Sequence, residues 1–285
     1  MLHEFTSLSR LRKTIHDWRA AGESIALVPT MGALHAGHLQ LVAEAKKHAK
    51  RVVVSIFVNP TQFGPNEDFN RYPRPLEKDL SLLREVGADG AWLPTVEEMY
   101  PAGFSTNIHM GGVSEGLCGA ARPGHFDGVA TVVAKLLLQV APDAALFGEK
   151  DYQQLCVIKR LAADLNLPVA IVGVPIVREG DGLALSSRNQ YLSEVERAIA
   201  PVLHQQLQQA AAALKAGEDA GEVLASASAA ILAAGFQKID YMELRAEETL
   251  APLSQYQSPA RLLVAAWLGK TRLIDNILIA PGDFS

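Results

Sequence analysis

The sequence predicts an α/β protein in which a parallel-sheet domain precedes a smaller domain of helices and antiparallel strands. Through residues 1–176, short apolar runs rich in β-branched residues alternate with amphipathic helical segments, an order typical of a parallel sheet covered by helices. Through residues 177–285, two helical regions come first and three strand-like runs follow. The length of 285 residues accommodates two such domains at roughly 100–200 residues each.

The first elements of the chain form a βαβ unit. Residues 24–28 are a short apolar run that Pro29 is expected to end, and residues 52–58 are β-branched without alternation, as in a strand covered on both faces. A helical segment lies between them. Such crossovers are right-handed and place ligands beyond the carboxyl ends of the strands, so the loop of residues 29–38 lies at the ligand-binding edge.

The remaining elements follow from the same periodicities. In the first domain we predict an initial helix after Ser7, helices over 75–86, 126–140 and 151–164, and strands over 90–93, 144–147 and 169–174. In the second domain, Ser193 and Glu196 form a capping box that opens one long helix ending near residue 215. The last elements are a helix over about 220–234 and strands near 238–245, 262–268 and 271–279.

Composition and charge exclude several classes of protein. The 31 Asp and Glu residues outnumber the 26 Lys and Arg residues, and this net charge of −5 argues against a nucleic-acid partner. The longest apolar stretch, residues 129–141, contains Lys135 and Gln139 and falls short of the ~20 residues that span a bilayer. The first 18 residues carry charges, unlike a secretory signal. We therefore expect a cytoplasmic protein with no membrane partner, in which Cys118 and Cys156 are reduced and buried.

The loop after the first predicted strand reads Pro-Thr-Met-Gly-Ala-Leu-His-Ala-Gly-His, residues 29–38. Its histidines, His35 and His38, stand at the start of a helix, where free N–H groups and the helix dipole attract phosphate. Gly32 and Gly37 let the backbone approach a nucleotide closely. A turn with incidental histidines is the alternative, but the position at the first strand-to-helix loop favours a nucleotide site.

Two later segments carry groups suited to phosphate. Residues 147–151, Phe-Gly-Glu-Lys-Asp, follow another predicted strand, so Lys150 reaches the same edge of the sheet as a compact positive charge. Residues 185–189, Leu-Ser-Ser-Arg-Asn, offer two hydroxyls and a guanidinium at the domain junction, a position suited to closing over a bound nucleotide. A solvated helix start and a helix-capping loop are the respective alternatives.

Amide side chains that face a small substrate are predicted in two places. Gln62 belongs to the segment that leaves the second parallel strand, and Gln153 and Gln154 closely follow Lys150. A buried amide both donates hydrogen bonds to a hydroxy acid and accepts them from it. Simple surface amides are the alternative for all three.

Together these segments resemble the pantothenate synthetases, also called pantoate–β-alanine ligases, a family of His-x-Gly-His nucleotidylyltransferases. The stretches that carry the resemblance follow the family's order and spacing along nearly the whole chain: PTMGALHAGH, FVNPTQFGPNEDF, RYPR, RPGHFDGV, FGEKDYQQ, LSSRNQYLS and TRLIDN. The resemblance implies a Rossmann-like first domain that binds ATP, a second domain that acts as a lid, and a homodimer. It also implies that pantoate attacks the α-phosphate of MgATP to give pantoyl adenylate and pyrophosphate, and that β-alanine then displaces AMP.

The resemblance further implies a role for each matching residue. ATP would be bound by Met31, Gly32, Ala33, Leu34, His35, Ala36, Gly37, His38, Gly148, Glu149, Lys150, Asp151, Val177, Leu185, Ser186, Ser187 and Arg188. The catalytic residues among them would be His35, His38, Lys150, Ser186, Ser187 and Arg188, with His38 as proton donor. Gln62 and Gln154 would bind pantoate, and Asp79 would approach Mg²⁺ from its outer shell. The family usually has Met where this chain has Leu185, which leaves the Ser-Ser-Arg donors unchanged.

Three other functions share part of this pattern. A simple nucleotidyltransferase for a phosphopantetheine-like acceptor has the histidine motif but is typically one shorter domain without FGEKDYQQ. A class I aminoacyl-tRNA synthetase relative would need a basic surface for its tRNA, which the net negative charge disfavours. An inert nucleotide sensor would be favoured by loss of His38 or Lys150, and both residues are present.

Overall fold

The computed structural model describes residues 1–65 and 67–280. Asn66, within the FVNPTQFGPNEDF stretch, and residues 281–285 of the predicted second domain lie outside the described residues. The strands of the larger sheet are β1 (His3–Phe5), β2 (Ile25–Thr30), β3 (Arg51–Ile56), β4 (Gly90–Trp92), β5 (Ala144–Gly148) and β6 (Ala170–Val174). All pair in parallel, in the spatial order β1-β4-β3-β2-β5-β6, which confirms the predicted α/β class.

Ten α-helices are present in the described residues. They are α1 (Leu8–Ala20), α2 (Ala36–His48), α3 (Leu76–Val86), α4 (Val96–Met99), α5 (Leu117–Ala121), α6 (His125–Val140), α7 (Tyr152–Asp164), α8 (Glu194–Ile199), α9 (Val202–Lys215) and α10 (Ala220–Ala233). The short elements β1, α4 and α5 are not predicted from the sequence, because three to five residues are too few to show a period. No helix in the ranges 1–65 and 67–280 is long and apolar enough to cross a membrane.

The order of the strands creates a crevice at the end of β2. On one side β2 pairs with β3, which the chain reaches next through α2, and on the other side it pairs with β5, which the chain reaches much later. Such a reversal of strand order is the place where open parallel sheets bind ligands, beyond the carboxyl ends of the strands. The loops that follow β2 and β5 therefore open into the same space.

The smaller sheet is antiparallel and consists of β7 (Lys238–Ala246), β8 (Ala260–Leu268) and β9 (Thr271–Ile279). Helices α9 and α10 cover it with a separate apolar core that includes Leu203, Leu207, Val264 and Leu273. Two other hydrophobic clusters cover the two faces of the larger sheet. The sheet is therefore buried on both faces, as predicted for a parallel sheet. The predicted helix-plus-antiparallel-strand region is confirmed.

Proline is involved in two of the boundaries that differ from the prediction, and β3 also ends at Ile56 rather than at residue 58. Strand β2 continues through Pro29 to Thr30 instead of ending at Val28. The C=O of Thr30 accepts from Phe57 N on the β3 side. Because successive residues of a strand face opposite neighbours, the backbone nitrogen of Pro29 faces the β5 side, and β5 pairs with β2 only at Ala26 and Leu27. The missing donor therefore costs no ladder bond.

The long helix predicted between residue 193 and residue 215 is in fact two helices, α8 and α9. Pro201 separates them, because it lacks the N–H that would continue the helical ladder and its ring clashes with the preceding turn. The predicted capping box is confirmed: Ser193 Oγ accepts from Glu196 N at 3.3 Å, and Glu196 Oε2 accepts from Ser193 N at 2.8 Å.

Candidate active site

The carboxyl ends of the central strands surround a cavity of about 210 Å³, here called the nucleotide cavity. Most of the predicted site residues line it: Met31, His35, Gly37, His38, Gln62, Gly148, Lys150, Asp151, Gln154, Val177, Leu185, Ser186, Ser187 and Arg188. Six predicted residues are not in its lining: Gly32, Ala33, Leu34, Ala36, Asp79 and Glu149. The three segments singled out for phosphate therefore converge, although they are far apart in the sequence.

A larger cavity of about 670 Å³ adjoins the first, between the loops of the parallel sheet and strand β9 of the small sheet. Here it is called the outer cavity. Six residues line both cavities: Gln62, Lys150, Asp151, Gln154, Ser186 and Arg188. The junction thus carries two cations, one carboxylate, two amides and a hydroxyl, which is a polar passage between two chambers.

The two histidines cap the start of α2 through reciprocal hydrogen bonds. His35 is the N-cap residue, and its Nδ1 accepts from Gly37 N at 3.2 Å. In return, Nδ1 of His38 accepts from the backbone N of His35 at 3.3 Å, and the two ring centroids are 4.1 Å apart. A neutral ring whose Nδ1 accepts must carry its proton on Nε2. Both imidazoles consequently have an Nε2–H donor to offer.

Both imidazoles are neutral near pH 7. Burial lowers the pKa of His35 to about 4, and the positive charge of Lys150 acts in the same direction. Burial also lowers the pKa of His38 to about 3, with a smaller contribution from His35. At neutral pH the pair can therefore donate hydrogen bonds to phosphate oxygens, while the fixed positive charge at the cavity comes from Lys150 and Arg188.

The backbone before α2 is held by a buried carboxylate. Asp79, on α3, is only 1% exposed, and its two oxygens accept from Ala33 N and Leu34 N, each at 2.8 Å. Gly32 has a φ of +81°, and a Cβ there would lie 3.0 Å from Asp79 Oδ2, so glycine fits both the turn and the contact. This geometry favours a structural role for Asp79 in shaping the loop rather than the predicted role near a metal.

Arg188 is oriented by a bidentate ion pair. Its Nε and Nη2 donate to the Asp68 carboxylate at 2.9 and 2.8 Å, and its guanidinium lies 5.8 Å from the centre of the Tyr72 ring. Burial alone would raise the pKa of Asp68, but the Arg188 guanidinium holds it below its usual range. The pair joins the segment after residue 185 to the first sheet's loops.

The hydroxyls beside Arg188 are also placed by hydrogen bonds. Ser186 is the N-cap of a 3₁₀ turn (Ser187–Tyr191), and its Oγ accepts from Arg188 N at 3.2 Å. Ser187 Oγ lies 3.0 Å from Tyr72 OH. The helix-capping alternative is thus correct for Ser186, and the same residue still lines both cavities, so capping and ligand contact are compatible here.

The predicted amides divide into two kinds. Gln62 lines both cavities and accepts from Asn59 Nδ2 at 3.0 Å. Gln153 is buried, its Nε2 donates to the C=O groups of residues 113, 115 and 116, and its Oε1 accepts from Cys118 N. Gln154 is turned away from it, as successive helix residues are, and faces the junction. Of the adjacent pair, only Gln154 has the exposure that a substrate amide requires.

Several residues of the quoted stretches contribute to the site although no role was predicted for them. Asp68 and Tyr72 hold Arg188 and Ser187, and Asn59 accepts from Tyr100 OH at 2.8 Å. In RPGHFDGV, Arg122 pairs with Glu67, and His125 lies 2.8 Å from the C=O of Gln62. In the sequence, these residues are marked by lying within the stretches that carry the family resemblance.

Among the residues that the structure describes, the site offers no preformed metal cage. Within the described part of the chain, no group of three or more His, Cys, Asp or Glu side chains is arranged to hold a metal ion. Asp151 lines both cavities and lies 3.9 Å from Lys150 Nζ, while the nearby Asp68 is engaged by Arg188. The donor set suits a cation that arrives already coordinated by phosphate oxygens better than one bound by protein alone.

A sequence model of the family described as pantoate-beta-alanine ligase matches residues 3–278. The match therefore spans the parallel sheet, both cavities and the small sheet. The chain belongs to the pantoate–β-alanine ligase family. Among its relatives, the pantothenate synthetase of Paramagnetospirillum magneticum is 56% identical over 280 residues, covering 98% of this chain and 99% of the relative. That of Mesorhizobium japonicum is 58% identical over 271 residues, 95% of either chain.

Solved structures of pantoate–β-alanine ligases share the fold. The crystal structure of pantothenate synthetase from Thermus thermophilus is 48% identical, with a TM-score of 0.91, covering 98% of this chain and 100% of that one. The Francisella tularensis ligase, complexed with β,γ-ATP and β-alanine, is 35% identical, with a TM-score of 0.81 and 99% coverage of both chains. Membership of this family favours the ligase over the nucleotidyltransferase, tRNA synthetase and sensor alternatives.

Proposed function

We propose that this chain catalyses the ATP-dependent condensation of (R)-pantoate with β-alanine, which yields pantothenate, AMP and pyrophosphate through pantoyl adenylate. The observation that carries the proposal is the convergence of His35 and His38, Lys150, and residues 185–188 on one cavity at the reversal point of the sheet. Family membership and the ATP and β-alanine complex of the Francisella relative support it.

In the first step a carboxylate oxygen of pantoate attacks the α-phosphorus of ATP. The new O–P bond forms as the bond to the bridging oxygen breaks, and pyrophosphate leaves. Negative charge grows on the non-bridging oxygens, so catalysis depends on donors that are already in place. We assign the Nε2–H groups of His35 and His38 and the ammonium of Lys150 to this charge.

The departing pyrophosphate needs donors on the opposite side. We assign Ser186, Ser187 and Arg188 to the outer phosphates, because their segment reaches the nucleotide cavity from the second domain. The guanidinium is fixed by Asp68, which lowers the entropy lost when it binds phosphate. The cavity wall that would pack against the nucleotide includes Met31, Gly148, Asp151, Val177 and Leu185. A second group lies outside the lining and would contribute by shaping the main chain of the loops: Gly32, Ala33, Leu34, Ala36 and Glu149.

Gln62 and Gln154 are proposed to bind pantoate, since their amides lie at the junction of the two cavities. In the second step the amine of β-alanine attacks the adenylate carbonyl, the amide bond forms, and the C–O bond to AMP breaks while the amine loses a proton. We propose that β-alanine reaches this carbonyl from the outer cavity and passes Gln62. Enclosure protects the adenylate from hydrolysis.

Mg²⁺ is proposed to enter with ATP. When bound it would neutralise phosphate charge, and the protein groups available near it are Asp151 at the cavity and water-mediated contacts. Asp79 is a weaker candidate, since both its oxygens already accept backbone hydrogen bonds.

Domain organisation, assembly and location are proposals as well. We place the boundary at residues 176 and 177, because one apolar core draws only on Leu183 and later residues while another ends at Val174. The segment after residue 185 would close the site as a lid.

A homodimer follows from the resemblance alone, and light scattering should give twice the chain mass. A cytoplasmic location fits the two buried free thiols, Cys118 and Cys156.

Pyrophosphate release from MgATP tests the function. We expect little release with ATP alone, a burst of one equivalent per site with pantoate, and sustained turnover to AMP once β-alanine is added. His38→Ala and Lys150→Ala should lower turnover by about 100-fold or more, since each removes a transition-state donor. His16→Ala, on the exposed face of α1, is the matched control. Sustained release that ignores β-alanine, or none with pantoate, would contradict the proposal.

A further inference from the structure

The TRLIDN stretch ends in two buried polar residues to which the proposed reaction assigns no role, although both line the outer cavity. Asp275 and Asn276 lie on β9 and are 4% and 2% exposed. Buried polar side chains are costly unless they are hydrogen-bonded, so their partners show what the two residues hold in place.

Asn276 holds the backbone of the lysine segment. Its Nδ2 donates to the C=O of Glu149 at 2.9 Å and to the C=O of Lys150 at 3.0 Å. These carbonyls belong to the 3₁₀ turn (Glu149–Asp151) between β5 and α7. Two hydrogen bonds from one amide fix the position of the Lys150 main chain, from which the side chain reaches the cavity.

The orientation of this amide is set by Arg261 on β8. Arg261 Nη1 donates to Asn276 Oδ1 at 2.6 Å, so the NH₂ of the amide must point to the two carbonyls. The guanidinium itself lies 3.6 Å from the centre of the Tyr152 ring, and its Nη2 is 3.4 Å from a carboxylate oxygen of Glu149. Side chains of the small sheet thus contact the 3₁₀ turn and the first residue of α7, Tyr152.

Asp275 holds the other phosphate segment. Its carboxylate accepts from Arg178 Nη1 and Nη2 at 2.6 and 2.8 Å. Arg178 lies in a tight hairpin that is closed by Leu185 N donating to Val177 O at 3.0 Å, and the chain leaves this hairpin directly into Ser186. Adjacent residues of one strand therefore anchor the Lys150 turn and the base of the Ser186–Arg188 segment.

We propose that Asn276 is a positioning residue that acts through Lys150, and that with Asp275 it sets the separation between the two phosphate-binding segments. The proposal rests on the proposed function of those segments. Catalysis by fixed charges is sensitive to displacements of about 1 Å, so a buried anchor on a rigid strand has a direct effect on rate.

A double-mutant cycle between Asn276 and Lys150 tests the proposal. Asn276→Asp keeps the oxygen that Arg261 contacts and removes the two N–H donors, and Asn276→Ala serves if the first variant does not fold. We expect kcat for pantoate-dependent turnover to fall about 10-fold or more while KM for β-alanine stays within about 2-fold. In a Lys150→Ala background, the same substitution should cost less than about 2-fold.

The control is Gln139→Leu on α6, where the buried amide of Gln139 accepts from Trp92 Nε1 at 2.9 Å and lines neither cavity. It should lower the melting temperature without lowering kcat. Equal losses from Asn276→Asp in both backgrounds, or full kcat in Asn276→Asp, would overturn the proposal. The same cycle measured as MgATP affinity by calorimetry requires no pantoate. A wild type that binds MgATP but ignores pantoate would refute the function, while coupling in affinity would still decide the role of Asn276.

Discussion

The backbone N–H of His35 donates to Nδ1 of His38 across 3.3 Å, so the ring that we propose faces the phosphates also closes the turn that carries it. This bond leaves the proton of the neutral ring on Nε2. It makes His38 a fixed hydrogen-bond donor at neutral pH rather than a cation. In the proposed reaction, the positive charge near the transition state therefore comes from Lys150 and Arg188.

We predict that neither histidine titrates near neutral pH in the folded protein. The pKa of His35 is lowered to about 4 and that of His38 to about 3, mainly by burial. Carbon-13 NMR of labelled histidine should show no change at these two rings between pH 5.5 and pH 8. A titration midpoint near 6.5 at His38 would contradict the assignment.

The same pKa values give the sign of the pH dependence of stability. Below pH 6.5 the unfolded histidines bind protons that the folded ones exclude, so the free energy of unfolding should fall as pH drops from 6.5 toward 4. Melting temperatures of wild type and His38→Gln measured over this range check the effect, and the variant should lose less stability.

Arg188→Lys should lower turnover by about 10-fold or more although the charge is kept. Lysine cannot reproduce the two parallel hydrogen bonds to Asp68 that orient the guanidinium. Steady-state assays at saturating ATP measure the effect, and Arg12→Lys on the exposed face of α1 is the control. Wild-type kcat in Arg188→Lys would show that the orientation is unimportant.

Asp79→Asn should weaken ATP binding several-fold and lower the melting temperature. An amide has only one oxygen, so it cannot accept from both Ala33 N and Leu34 N. The Mg²⁺ concentration for half-maximal turnover should not change, and Glu77→Gln, exposed on the same helix, should match wild type. An increased Mg²⁺ requirement in Asp79→Asn alone would instead support a metal role.

Gln62→Ala should raise KM for pantoate more than KM for ATP. The amide lies where the two cavities join and is held by Asn59, and we propose that it binds the acid rather than the nucleotide. Gln205→Ala, on the exposed side of α9, is a matched control. Equal increases for both substrates would argue against a pantoate contact.

Local patterns predicted the parts of the fold that depend on local physics. Hydrophobic periodicity located the sheet, and the rule for parallel strands placed the loops of His38 and Lys150 at one edge of it. The Ser193 capping box likewise depends on residues three apart. The effect of a proline was misjudged at Pro29, since its cost depends on which neighbouring strand faces the missing N–H.

Contacts between distant residues could not be predicted in this way. Asp68 and Arg188 are 120 residues apart, and Asn276 and Lys150 are 126 apart. The role of Asp79 also depends on tertiary packing, because its burial against two loop amides is invisible in its own helix. The motifs marked these residues as notable, and only the structure shows what they hold.

Activation of the acid as an acyl adenylate is tested most directly by the fate of labelled oxygen. Pantoate carrying oxygen-18 in its carboxylate should pass one labelled atom to AMP, because the oxygen that attacks the α-phosphorus leaves with AMP when β-alanine forms the amide. Mass spectrometry of the products measures the transfer. Labelled AMP in an amount equal to pantothenate is the predicted result. Unlabelled AMP, or label in orthophosphate together with ADP, would contradict it.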